Sequence, residues 1–135
     1  MGEITTYFFD SYAFYEILNG NSNYTKYSKV AIVTTKLNLM ELHYGLILLH
    51  GKKEADKYYD QFVQFSVEIY DNIIKLANEF RAIHKVRKLS YIDCLGYIIA
   101  KTMNIPFLTG DMQFRDMENV EFVKWNSKII TFIKT

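Results

Sequence analysis

Four carboxylates in this sequence stand where a strand or helix could present them to one point. Asp10 follows the β-branched and aromatic run Ile4-Thr5-Thr6-Tyr7-Phe8-Phe9, and Asp111 follows Phe107-Leu108-Thr109-Gly110. Glu41, in Asn38-Leu39-Met40-Glu41, and Asp93, in Ser90-Tyr91-Ile92-Asp93, lie near the starts of two apolar stretches of helical spacing. Carboxylate oxygens hold hard divalent cations such as Mg2+ or Mn2+, which keep several of their waters. An ion so held can generate hydroxide, orient it towards a phosphodiester and neutralise charge on the leaving oxygen. Each acid also has an ordinary structural use. Asn38-x-x-Glu41 and Ser90-x-x-Asp93 resemble capping boxes, and an Asp directly after a strand commonly caps a helix or turn.

The elements that must position these acids can be read from periodicity. Ile4–Phe9 reads as a buried first strand, and Val30–Val33 as a second. Val67–Tyr70 is short, β-prone and alternating; Pro106–Thr109 and Val120–Val123 complete the strand candidates. Between them, helices are expected over Ala13–Leu18, Leu37–His50, Lys52–Phe65, Ile73–Lys88 and Tyr91–Met103. In Leu37–His50 the residues Leu37, Met40, Tyr44, Ile47 and Leu48 share a spacing close to one helical face. Gly51 is its expected stop. Strands separated by helices imply a mainly parallel sheet covered on both faces, a three-layer α/β/α domain. In such open sheets ligands collect at the carboxyl ends of strands, near a topological switch point, which is where Asp10 and Asp111 would fall.

Composition sets the outer bounds. The 135 residues fit one domain over 1–135; half are hydrophobic and 23% charged, so general disorder is excluded. No apolar run approaches a membrane span, and the start Met1-Gly2-Glu3-Ile4 lacks the pattern of a signal peptide. The single cysteine, Cys94, rules out an internal disulfide and fits a reducing cytoplasm. With a net charge of +1, any nucleic-acid contact has to come from a local basic surface.

The neighbourhoods of the four acids resemble the PIN-domain family along nearly the whole chain. Tyr7-Phe8-Phe9-Asp10-Ser11-Tyr12 looks like its first strand and first acid. Thr34 to Leu46, with Glu41 inside, is similar to the segment that carries its buried glutamate. Ser90-Tyr91-Ile92-Asp93-Cys94-Leu95-Gly96 resembles its third acidic motif, and Leu108-Thr109-Gly110-Asp111 its closing Thr-x-Asp motif. The resemblance implies metal-dependent hydrolysis of RNA by an acidic quartet, Asp10, Glu41, Asp93 and Asp111. It implies Mg2+ or Mn2+ on Asp10, Asp93 and Asp111, with Glu41 completing the pocket and orienting the attacking water. Thr109 and Ser11 would support the acids by hydrogen bonding. Asp116 has an acidic counterpart in some relatives; its other reading is a solvated acid after Phe114-Arg115. Gly96 stands where the family has a small non-Gly residue, which points to close helix packing. The small single-domain form resembles the VapC toxin subgroup, implying an RNA substrate, a VapB-like antitoxin partner and a homodimer. An RNA-processing nuclease without an antitoxin is the alternative biological setting.

Other chemistry is poorly supported. A haloacid-dehalogenase-like phosphatase could use Asp10 as nucleophile, yet it wants an acid two residues on, where this chain has Tyr12. No Gly-x-Gly-x-x-Gly or P-loop pattern occurs. Cys94 in an apolar helix reads as an inert hydrophobe, and His43, His50 and His84 lack paired ligand spacing. An inactive RNA-binding scaffold should have lost an acid, and all four are present. The run Arg81-Ala82-Ile83-His84-Lys85-Val86-Arg87-Lys88 is the densest basic segment. Arg81, Lys85, Arg87 and Lys88 could grip RNA phosphates, or simply solvate a helix end. The early aromatic residues suit base stacking, core packing or a subunit interface equally.

Overall fold

A computed structural model describes residues 5–126. Ile4, expected to open the first strand, lies outside the described residues. Four strands form one sheet: β1 (Thr6–Phe9), β2 (Ala31–Val33), β3 (Phe107–Thr109) and β4 (Val120–Phe122). All neighbours pair in parallel, in the order β2-β1-β3-β4. The described helices are α1 (Ser11–Leu18), α2 (Lys36–His50), α3 (Lys52–Phe62), α4 (Asp71–Ile83) and α5 (Tyr91–Thr102).

Successive strand residues point to opposite faces, and here both faces are apolar. Phe9 and Leu108 pack with Phe14, Leu39, Leu42 and Leu46 beneath α1 to α3. Phe8 and Phe107 pack with Ile73, Ala77, Cys94 and Tyr97 beneath α4 and α5. Each buried Phe, Leu or Ile among them contributes about 1.5–3 kcal/mol by leaving water, so the sheet is held from both sides. The result is the expected three-layer α/β/α architecture.

Gly96 marks the tightest helix-to-sheet approach. A Cβ at this position would stand 2.7 Å from Cε1 of Phe8 and 3.1 Å from Cε1 of Phe107. The glycine lets α5 lie directly on two sheet phenyl rings.

Two local expectations are corrected, and the face expected on α2 is found on the solvent side. In α2 the buried face is Leu39, Leu42 and Leu46, whereas Met40, Tyr44, Ile47 and Leu48 are 56%, 58%, 39% and 44% exposed. The helix is apolar on almost every side, so two stripes of equal period exist and spacing alone does not choose between them. Val67–Tyr70 is not a strand: one parallel bridge joins Ser66 to Thr34, and Val67 N donates to Thr34 O at 2.9 Å. Its would-be partner β2 has only three residues before Thr35 turns the chain into α2, so no ladder remains to extend. Finally, the helix expected to reach Lys88 ends at Ile83; Lys85–Arg87 form a 3₁₀ turn and Lys88 takes a left-handed φ of 57°.

The segment between α1 and β2, unassigned by pattern, is a 3₁₀ stretch over Ser22–Lys29. It buries Tyr24 and Tyr27, and the Tyr24 hydroxyl donates to Val123 O at 2.5 Å. These rings belong to the core.

Candidate active site

β1 has β2 on one side and β3 on the other, so the chain reverses its direction of progress across the sheet at the β1/β3 boundary. The register Phe9↔Leu108 sets Asp10 beside Thr109 at the carboxyl ends of these two strands. Asp10 is buried and serves as the N-cap of α1, its Oδ1 accepting from Ala13 N at 2.7 Å. Its Oδ2 accepts from Thr109 Oγ1 at 2.6 Å. Thr109 Oγ1 in turn accepts from Asp111 N at 3.1 Å, tying the turn after β3 to the first acid.

The glutamate is positioned by a separate relay. Ser11 Oγ donates to Glu41 Oε1 at 2.5 Å, and Asn38 Nδ2 donates to Ser11 Oγ at 3.2 Å. Thr35 Oγ1 fixes the amide orientation by donating to Asn38 Oδ1 at 2.6 Å. Thr35, not Asn38, is the N-cap of α2, accepting from Asn38 N at 3.1 Å. Asn38 therefore links Thr35 to Ser11, and Glu41 sits one helical turn further along the same face. Asp93 is carried on the first turn of α5, whose cap is Ser90 Oγ, accepting from Asp93 N at 3.0 Å.

Glu41, Asp93 and Asp111 line one cavity of about 400 Å³, together with Tyr12, Tyr44, Lys88 and Ser90. Asp10 lies behind this wall. Burial holds its carboxyl well above the usual carboxylate range; the charges of Asp93 and Asp111 push the same way, and the bonds from Thr109 and Ala13 oppose them. Burial also raises the Tyr12 hydroxyl, with the charges of Glu41, Asp10 and Asp93 adding to it. Tyr12 thus remains a protonated hydroxyl beside three acids. Cys94, next to Asp93, is buried in the α5 core, and burial pushes its thiol up to about 11. It is no nucleophile.

The cavity's acidic donors are all oxygens, which suits a hard divalent cation and not a soft one. Among the described residues no three His, Cys, Asp or Glu side chains stand together as a ready ligand cage. A water-rich ion held by one or two carboxylates remains a fit, since Mg2+ ordinarily binds in this way alongside substrate phosphate.

The remaining candidates divide. Thr109 and Ser11 touch the acids as described. Asp116 points away, paired with Arg87 at 2.7 and 3.1 Å, and Arg87 also donates to Gln113 O at 2.7 Å. Lys88 reaches the cavity wall, whereas Arg81 and Lys85 line a neighbouring groove. Tyr12, Tyr44 and Asn38 had no site assignment from the sequence. Their signal was spacing: Asn38, Glu41 and Tyr44 recur every three residues on one helix, and Tyr12 is two residues from Asp10.

A family model described as the PIN domain matches residues 7–120. The chain belongs to the PIN-domain family. That assignment displaces the dehalogenase-like alternative. The fold is similar to a toxin–antitoxin complex from Klebsiella pneumoniae, with a TM-score of 0.68 at 14% identity over 87% of this chain and 98% of that one. It is also similar to VapBC2 from Rickettsia felis bound to a promoter DNA fragment, with a TM-score of 0.67 at 17% identity over 90% and 100% of the two chains. A Pyrobaculum aerophilum protein gives 0.57 at 13% identity over 97% and 98%. At such identities the likeness concerns the fold. No curated protein matches the chain at a significant level.

Proposed function

We propose that this chain is a metal-dependent endoribonuclease and the toxin of a type II toxin–antitoxin pair, with RNA as substrate and a VapB-like antitoxin as partner. The observation that carries this reading is the cavity itself: Glu41, Asp93 and Asp111 line it and Asp10 lies beneath, at the switch point of a PIN-family sheet.

Asp93 and Asp111 would hold Mg2+ or Mn2+ at the cavity mouth, with Asp10 behind them. When bound, such an ion supplies an activated water and neutralises phosphate charge. Thr109 orients Asp10, and Ser11, braced by Asn38, orients Glu41 so that its carboxylate can take a proton from the attacking water. Lys88 gives the acidic cavity a cation for the incoming phosphate. The Tyr12 hydroxyl, kept protonated by its surroundings, serves as a hydrogen-bond donor at the same wall. The resemblance to toxin–antitoxin structures supports the antitoxin partner, and we place the protein in the cytoplasm as a homodimer. No described helix is long and apolar enough to cross a membrane.

The test is a labelled RNA incubated with wild type and with Asp93→Asn. Cleavage in Mg2+ or Mn2+ that stops in chelator and falls at least a hundredfold in Asp93→Asn is the expected result. Equal cleavage by both proteins assigns the activity elsewhere. Expression of wild type alone should arrest bacterial growth, with relief by an antitoxin encoded beside it; arrest that survives Asp10→Ala removes the nucleolytic explanation. Cleavage without arrest, and with no neighbouring antitoxin gene, favours an RNA-processing nuclease.

A further inference from the structure

A second groove of about 440 Å³ lies between the end of α4 and the start of α5, lined by Asn78, Arg81, Lys85, Lys88, Leu89 and Tyr91. Lys88 lines both this groove and the acidic cavity, so the two are neighbours across one side chain. Tyr91 and Asp93 belong to the same first turn of α5.

The groove differs from an ordinary solvated basic surface in three respects. Tyr91 is 61% exposed, yet its ring is held: the Arg81 guanidinium carbon sits 4.0 Å from the ring centroid. Arg81 is itself fixed, its Nε donating to Leu89 O at 2.9 Å, and Leu89 is anchored in the core. An exposed aromatic ring of fixed orientation is a stacking platform, whereas a freely rotating one pays for its own ordering. Second, neither Lys85 nor Lys88 makes an ion pair among the described residues, while Arg87 between them is taken by Asp116. Third, Lys88 adopts a left-handed φ of 57°, a conformation that favours glycine or asparagine. A lysine at this position puts a cation at the wall between the two cavities despite its backbone preference.

We propose that this groove is a nucleotide subsite for single-stranded RNA: a base flanking the scissile phosphate stacks on Tyr91, and Lys85 and Lys88 hold the phosphates leading to the acidic cavity. The assignment rests on the reading of that cavity as a ribonuclease centre. A single strand is the occupant because only an unstacked base offers its face to an aromatic ring, while a duplex offers the groove phosphates alone. Arg87 is outside the subsite, and Arg81 acts as a positioning residue through Tyr91.

The experiment uses the full chain carrying Asp93→Asn to prevent turnover, with a fluorescent single-stranded RNA oligomer bearing one 5-iodouridine. Tyr91→Ala should weaken binding by on the order of tenfold, the loss of one base stack, with the salt dependence unchanged; Tyr91→Phe should restore it. Lys85→Ala and Lys88→Gly should each reduce the slope of log affinity against log salt by about 0.7. Lys88→Gly should do so without lowering the melting temperature, since glycine suits the left-handed backbone. Arg87→Ala should change neither quantity, and photocrosslinks should map to Tyr91. Tyr91→Ala binding as tightly as its parent, with crosslinks elsewhere, overturns the proposal. So does competition by an acidic polyglutamate peptide that depends on Tyr91 when RNA binding does not, which would assign the groove to a protein partner. The two readings separate when Asp93 is left intact: a chain that cleaves with a KM unaffected by Tyr91→Ala loses the subsite alone. Wild type that never cleaves, beside variants that lose RNA binding as described, loses the nuclease reading alone.

Discussion

Asp10 carries a role in the fold at the position proposed for chemistry. Its two oxygens cap α1 and receive Thr109, as a structural aspartate would, yet burial and two neighbouring acids make its charged form unfavourable. A carboxyl whose folded pKa is raised binds its proton more tightly in the native than in the unfolded chain. Its contribution to stability is therefore greatest below the unfolded value, about 3.9, and is lost as pH rises through the raised folded value. In chelator, the stability of wild type relative to Asp10→Asn should fall steadily above about pH 4, leaving the variant the more stable at neutral pH. Thermal melts of both across pH 4–8 check this, and a constant difference refutes it. Saturating Mn2+ should reverse the order by stabilising wild type, by about 2.7 kcal/mol at one hundred times the dissociation constant. Asp116, paired with Arg87 outside the cavity, should behave oppositely: Asp116→Asn is expected to cleave RNA within about twofold of wild type, because exposed pairs contribute little. A hundredfold loss in a cleavage assay would restore Asp116 to the catalytic group. The four acids stand out in the sequence because their neighbourhoods resemble the motifs of one family; their places at strand ends and helix starts fit capping equally well. Asn38 was not, because a capping box and a link to Ser11 look alike until Thr35 is seen to be the cap.

At the level of elements, the parallel sheet followed from pattern because β1 and β3 carry side chains suited to burial on both faces, Phe8-Phe9 and Phe107-Leu108. Pattern left open which of two faces of equal period is buried, as on α2, and failed where a β-prone segment met a strand too short to pair with, as at Val67–Tyr70. It also missed the turn after α4, since no local residue marks Ile83 as a helix end and the left-handed position is filled by Lys88. The departure at Gly96, by contrast, acquires a physical cause: α5 lies on Phe8 and Phe107 with no room for a methyl group. Gly96→Ala should gain about 1 kcal/mol in helix propensity. It should lose more through overpacking, which typically costs 1–3 kcal/mol, because both phenyl rings are buried and cannot swing away. A net destabilisation of up to about 2 kcal/mol by urea denaturation is expected from these opposing terms. A variant as stable as wild type would show that α5 can lift without penalty, and Asp93 would then ride on a looser helix than described.

For the whole molecule, what the core leaves outside matters as much as what it encloses. Both helical layers are satisfied by the sheet, yet α2 still exposes Met40, Tyr44, Ile47 and Leu48 along one side. Tyr44 in that stripe also lines the acidic cavity, so a protein seated on the stripe would border that cavity. Scattered exposed apolar residues are ordinary, but a contiguous set on one helix is the usual mark of an interaction surface. The proposed homodimer would bury the stripe by isologous contact, each copy presenting the same residues to the other. On that arrangement Ile47→Lys with Leu48→Lys places four like charges at one two-fold interface. Light scattering on eluting protein should then give about twice the 16.0 kDa chain mass for wild type and the chain mass for the double variant. The substituted positions are exposed and outside the acid relay, so the variant should keep its fold and its metal-dependent thermal shift. A dimer that persists in the double variant moves the self-contact to another face, leaving the α2 stripe to the proposed antitoxin or another protein. Wild type that runs as a monomer rejects the homodimer outright, and loss of RNA cleavage on dissociation would show that the second copy completes the substrate path.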